Sequence, residues 1–162
     1  MDHADLSELG IGDDVKNVCA CFQLRKAARA ITQLYDGYIH KAGVTPNQFS
    51  LLMVAYQEGE LSPSEMARIA VLDKTTLTRN LRLLEKQGLL ETTPSQTDRR
   101  AKVIRITPAG IETLRRVMPH WEAAQKQLAE SLGSGNFDRL MASLEQVIAR
   151  SRSPASLPVM GG

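Results

Sequence analysis

Aromatic residues are scarce in this chain: one Trp, three Tyr and three Phe among 162 residues. A core with so few rings must be aliphatic, built from Leu, Ile, Val, Ala and Met. Cysteine is scarcer still, and Cys19 and Cys21 lie too close in sequence to staple distant parts of the chain to each other. No apolar run approaches the roughly 18 residues that cross a bilayer. The N-terminus lacks a basic segment followed by an apolar one, so a secretory signal is not expected and the cytoplasm is the expected compartment. His3, His40 and His120 are scattered, with no Cys, His or carboxylate cluster at metal-ligand spacing. A Gly-rich phosphate loop, a Gly-x-Ser-x-Gly element and a grouped acid–base set are all missing. The expectation is a protein that is no enzyme, holds no metal or cofactor, and has no membrane partner.

What is present is unevenly placed. The formal net charge is only +2, yet residues 1–14 carry five acids and no Lys or Arg. Residues 62–105 carry nine bases against five acids, a local excess of four positive charges. A basic middle between less basic flanks suits an anionic partner, although a solvated surface of the same charge is also common.

The apolar pattern divides the chain further. Residues 1–14, acidic and holding Gly10 and Gly12, are expected to be a mobile tail. From Val15 to about Lys41 apolar residues recur at helical spacing with no Pro, which predicts one helix about 40 Å long. Thr45-Pro46-Asn47-Gln48 and Ser62-Pro63-Ser64-Glu65 each combine a capping hydroxyl, a Pro at the first helical position and a reciprocal Gln or Glu. Asp73 caps a further helix with Leu77, Leu81 and Leu84 as its buried stripe, and Gly88 closes it. Residues 89–94 and 101–107 are short, β-branched segments joined by a polar, basic tip, which predicts a hairpin. Thr107-Pro108 opens another long helix in which Pro119 is expected to cause a kink or an interruption. A last helix carries Phe137, Leu140, Met141, Leu144, Val147 and Ile148, and residues 151–162 are expected to be disordered.

The order from 62 to 107 is short helix, turn, second helix, two-stranded hairpin. That is a winged helix-turn-helix, in a chain that is mainly α with a small β-hairpin wing and additional helical dimerisation segments. A helix fits the major groove of a duplex and reads base edges with its N-terminal residues. Here those are Lys74, Thr75, Thr76 and Arg79, off the Leu stripe. Thr75 and Thr76 can donate, accept, or offer a methyl to thymine, and Arg79 can reach both guanine acceptors. Arg82 and Lys86, further along, suit phosphate contacts, and Ser62 joins the contact set at the start of the motif. Asp98, Arg99 and Arg100 fall at the hairpin tip with Lys102 and Arg105 behind them, placing guanidinium groups where a narrow minor groove attracts them. Asp98 can hold Arg100 in one direction by an ion pair.

With those residues in place, the sequence resembles the MarR-type winged-helix transcriptional regulators over about residues 15–150. The resemblance is most specific at residues 73–81, Leu84-Glu85-Lys86-Gln87-Gly88-Leu89, and Asp98-Arg99-Arg100 followed by Ile106-Thr107-Pro108-Ala109-Gly110. It implies a homodimer in which helices from 15–44 and 108–150 intertwine, flanking a DNA-binding region at 45–107. It further implies repression relieved by a small molecule or an oxidant, at a pseudo-palindromic operator on double-stranded DNA. The reading from another class is a winged helix that docks on protein and has no DNA target.

The same resemblance supplies two candidate sensors. In the peroxide-sensing branch a Cys directly before Phe near the start of the first helix is reactive, and Cys21-Phe22 matches; Tyr35 falls at the position of a supporting tyrosine, whereas Arg25 and Pro46 stand where that branch has tyrosines. A structural thiol is the other reading of Cys21. A bond within Cys19-Ala20-Cys21 is not expected in a helix, where side chains two apart point to different sides. Relatives also bind phenolic compounds between the dimer helices and the winged domain. Phe22, Phe49, Met53 and Tyr56 are candidates for an aromatic-ligand pocket, with Arg29 as carboxylate partner; all have core packing as the alternative. Trp121 carries the same alternatives of pocket or core and equally suits a dimer contact.

Overall fold

A computed structural model describes residues 15–95, 101–133 and 135–151. The expectations for the acidic tail at 1–14, for Asp98, Arg99 and Arg100, and for residues beyond 151 lie outside the described residues. The chain divides into two compact units, Met1–Trp121 and Glu122–Gly162.

The first unit opens with a correction. Instead of one helix from Val15 to Lys41 there are two, α1 (Val15–Val18) and α2 (Ala20–Ile39), separated by Cys19 with an extended backbone at φ −72° and ψ 105°. At about 1.5 Å per residue α2 is roughly 30 Å long, not 40. A 3₁₀ turn, His40–Ala42, follows and ends at Gly43 with φ +85°.

The next three helices begin where their caps predict. α3 (Pro46–Glu58) starts with Thr45 accepting from the Gln48 N–H at 3.3 Å while Gln48 Oε1 accepts from the Thr45 N–H at 2.9 Å. α4 (Pro63–Ala70) repeats the exchange between Ser62 and Glu65. Each box satisfies two backbone donors that a bare helix end would leave open. α4 stops at Val71, a β-branched residue in the left-handed region at φ 52°, and the Leu72 N–H turns back to the Ala67 carbonyl at 3.0 Å. α5 (Lys74–Lys86) starts at Asp73 and buries Leu77, Leu81 and Leu84. Beyond it, Gly88 at φ +70° lets the Leu89 N–H reach the Leu84 carbonyl and its own N–H reach the Glu85 carbonyl, both at 2.9 Å. That closing motif brings the buried Leu84 and Leu89 together.

β1 (Leu90–Pro94) pairs antiparallel with β2 (Lys102–Ile106), Leu90 opposite Ile106 and Pro94 opposite Lys102. Leu61, just before α4, adds a bridge to Ile104, with bonds of 3.3 and 2.8 Å in the two directions. The hairpin is thereby stitched to the segment between α3 and α4. An ion pair at 2.5 Å from Arg105 to Glu60 reinforces the same seam.

α6 (Pro108–Leu132) is continuous through Pro119, so of the kink or interruption expected there the interruption does not occur. Pro119 and Arg115, whose carbonyl loses its usual donor, are both exposed, so water can replace the missing bond. At its start the Thr107 hydroxyl accepts from the Gly110 N–H at 3.0 Å and donates to the Gly88 carbonyl at 2.6 Å. Gly110 is needed here: a Cβ would lie 2.2 Å from the Leu89 carbonyl oxygen and 2.6 Å from Ile106 Cγ1.

The core of this unit is aliphatic, with Ile39, Leu51, Leu52, Met66, Leu77, Leu84, Ile104 and Val117 fully buried. Each such side chain contributes about 1.5–3 kcal/mol on burial. Phe49 and Trp121 add one tilted ring pair, 6.4 Å between centroids. In the second unit, Ala124 is buried, whereas Met141, Val147 and Ile148 on α7 (Asn136–Ser151) remain exposed. No described helix is long and apolar enough to cross a membrane.

Candidate nucleic-acid interface

The site is built from α5 outward. With Leu77, Leu81 and Leu84 held in the core, the opposite side of the helix must face solvent. Lys74, Thr75, Thr78, Arg79, Arg82, Leu83 and Lys86 line an open groove of about 550 Å³ along that side. They occupy about half the circumference at 3.6 residues per turn. Four of the seven are cations, and none forms an ion pair with another described residue. No carboxylate lies among the lining residues. The two carboxylates adjacent to them in sequence are engaged elsewhere: Asp73 accepts from Thr76, and Glu85 from the Thr92 hydroxyl on β1.

Thr76 is placed differently from its neighbours. It is half-buried, its N–H donates to Asp73 Oδ1 at 2.9 Å, and its hydroxyl donates to Asp73 Oδ2 at 2.6 Å. Those bonds hold the Asp73 carboxyl below the usual carboxylate range, the Thr76 hydroxyl being the largest cause. Ser62 has a parallel role: its backbone N–H, the largest cause, and then its hydroxyl, each donating to Glu65 at 2.7 Å, hold that carboxyl low as well. Thr78 and Leu83 were not singled out from sequence, although helical spacing from Lys74 and Arg79 puts both on this face. Arg105, counted among the wing bases by its charge, is committed to Glu60. Lys102 is exposed on β2, and Ser95 bonds Ala101 at 2.8 Å where the tip begins.

The ligand candidates separate. Met53 and Tyr56 come together with Ile111, Leu114, Arg115 and Met118 around a pocket of about 260 Å³ between α3 and α6. Phe49 is buried in the core beside Trp121, and Phe22 and Arg29 are exposed on α2 outside that pocket. Arg115, at the pocket, bonds Glu112 at 3.1 Å. Both thiols are free, Cys21 exposed and Cys19 half-buried. Because Cys19 lies outside the helix, helical geometry no longer separates the two side chains.

A helix whose cationic face pairs with no carboxylate among the described residues, next to an anchored hairpin, is the arrangement of duplex-binding winged helices. Comparison with known proteins agrees. A family model described as MarR family matches residues 42–101. The M. tuberculosis transcriptional regulator MosR, solved in complex with DNA, is 34% identical and superposes with a TM-score of 0.70, over 83% of this chain and 99% of that one. The chain belongs to the MarR family. The regulator SarZ of Staphylococcus haemolyticus is 28% identical over 81% of this chain and 88% of its own length. The organic hydroperoxide resistance transcriptional regulator of Bacillus subtilis is 31% identical over 56% of this chain and 61% of its own. As a MarR-family member this protein is a DNA-binding transcriptional regulator and not an enzyme. The reading as a docking module with no DNA target is set aside.

Proposed function

We propose that this MarR-family regulator is a cytoplasmic repressor that binds a pseudo-palindromic operator as a homodimer and releases it on meeting a small effector. The observation that carries the DNA half is the α5 face, with four cations and no acid along one groove. Arg79 and Thr75 read bases near the helix start, while Arg82 and Lys86 hold phosphates. Arg99 and Arg100, which the sequence puts at the wing tip with Asp98 as an ion-pair partner for Arg100 and Lys102 following, are proposed to enter the minor groove. The exposed apolar residues of α7 suit burial against a second copy. Two-fold symmetry then sets half-site centres about 10 bp apart, one turn of the duplex.

The effector reading supported by geometry is an aromatic carboxylate in the pocket of Met53, Tyr56, Ile111, Leu114, Arg115 and Met118. Its lining is apolar with one cation at the rim, the combination that orients such an anion. Exposure of Cys21 favours a second reading, release by a hydroperoxide, and the name of the B. subtilis relative supports the same class.

Selection from random-sequence duplexes, followed by anisotropy titrations at several salt concentrations, tests the DNA half. A pseudo-palindrome and a steep salt slope are expected; unselective binding or a flat slope would overturn it. Release by aromatic carboxylates that Arg115→Ala abolishes supports the pocket. Release by peroxide that Cys21→Ser abolishes supports the thiol.

A further inference from the structure

Two side chains on the cationic face of α5 are not explained by charge. Thr78 and Leu83 line the same groove as Lys74, Arg79, Arg82 and Lys86. The Thr78 hydroxyl donates to the Lys74 carbonyl at 2.7 Å, four residues back. That bond uses the hydroxyl's only hydrogen and fixes χ1, so the exposed Thr78 offers the groove chiefly its methyl. Leu83 is 44% exposed on a face otherwise made of cations and hydroxyls. At about 100° per residue Thr78 and Leu83 lie roughly 140° apart on the stripe, with Arg79 and Arg82 between them and Lys74 at the edge beyond Thr78. The cations suit phosphates and guanine acceptors; Thr78 and Leu83 present carbon on either side of Arg79 and Arg82.

Base edges in the major groove offer one apolar feature, the 5-methyl group of thymine. We infer that Thr78 and Leu83 are thymine readers, each packing its methyl groups on the 5-methyl of a different thymine in the half-site. Specificity then has two components on one helix: donors for guanine from Arg79, and apolar contact for thymine from Thr78 and Leu83. A hydroxyl spent on its own helix supports this assignment, because it leaves no donor for a base acceptor while adding a fixed methyl. The inference rests on the proposal that α5 enters the major groove, and it adds which base the groove must hold.

Replacing thymine by uracil removes the 5-methyl and keeps every Watson–Crick hydrogen bond. An operator selected from random DNA would be substituted at each thymine of both half-sites and titrated by anisotropy at fixed salt. Wild type is expected to bind about fourfold more weakly per lost methyl contact at two thymine positions. Thr78→Ser, which keeps the hydroxyl bond and loses the methyl, is expected to bind thymine and uracil equally at the first position. Thr78→Val, which keeps a methyl and loses the hydroxyl, retains the preference. Leu83→Ala loses it at the second position only. If Thr78→Ser or Leu83→Ala discriminates uracil as the wild type does, the assignment for that residue is overturned while the operator and its dependence on Arg79 stand. If selection yields no shared sequence, or Arg79→Ala binds as tightly as wild type, the groove assignment of α5 fails and this inference fails with it.

Discussion

Asp73 holds Thr76 with both carboxylate oxygens, one on its N–H at 2.9 Å and the other on its hydroxyl at 2.6 Å. The carboxylate that caps α5 therefore also takes a hydroxyl away from the surface proposed to meet DNA. Thr75, one residue earlier, lines the groove; Thr76 does not. Two adjacent residues of one type have different roles because one lies three positions after the cap.

The two caps of the helix-turn-helix make its stability acid-sensitive. Asp73 and Glu65 are both held below the usual carboxylate range by the hydrogen bonds they accept. A carboxyl lowered in the folded state adds stability above its unfolded value, near pH 4, and loses it as pH falls through the folded value. Thermal melts from pH 7 to pH 3 are expected to hold steady down to about pH 5 and then decline. Asp73→Asn combined with Glu65→Gln is expected to flatten that decline. An unchanged acid limb in the double variant would show that other groups govern it.

Gly110→Ala is expected to destabilise the protein by about 1–3 kcal/mol, the usual cost of forcing a methyl into a packed site. The obstacle is the Leu89 carbonyl at 2.2 Å, backbone that cannot swing aside. Because Leu89 follows α5 and Ile106 ends β2, the strain falls where α5 meets the hairpin. Urea denaturation reads the effect, and a change below 0.5 kcal/mol would contradict it.

Val71→Gly is expected to stabilise. A β-branched residue at φ 52° carries about 1–2 kcal/mol of strain. Glycine's extra freedom in the unfolded chain takes back about 0.5–1 kcal/mol. The Val71 side chain is 61% exposed, so little packing is lost. A net gain of about 0.5–1 kcal/mol should appear in the same denaturation assay.

Arg79 and Arg105 should respond oppositely to truncation. Arg79→Ala removes a proposed guanine contact and is expected to weaken operator binding by about 1–3 kcal/mol with normal stability. Arg105→Ala breaks the link to Glu60, which is partly exposed and worth about 1 kcal/mol or less, and should leave operator affinity within about twofold. Paired anisotropy and denaturation measurements separate a base contact from a hairpin anchor.

The sequence by itself determined the helix starts and the buried stripe of α5. Thr45 with Gln48, Ser62 with Glu65, and the Asp73 cap act across three residues, so their chemistry is complete within one turn. Leu77, Leu81 and Leu84 declare the inner face by spacing alone, and the outer face of Lys74, Thr75, Arg79, Arg82 and Lys86 follows as its complement. Tertiary structure decided what depends on partners distant in sequence. Leu61 joins Ile104 across 43 positions and Glu60 joins Arg105 across 45, and no local pattern marks which residues will meet. Met53 and Tyr56 share a pocket with Ile111 and Met118 only because α3 and α6 pack together, while Phe49 goes to the core instead. The need for glycine at 110 comes from the Leu89 carbonyl, brought up by the turn at Gly88. Capping and periodicity are short-range and survive in a single strand of sequence; contact across long loops requires the folded chain, which alone brings those atoms within reach.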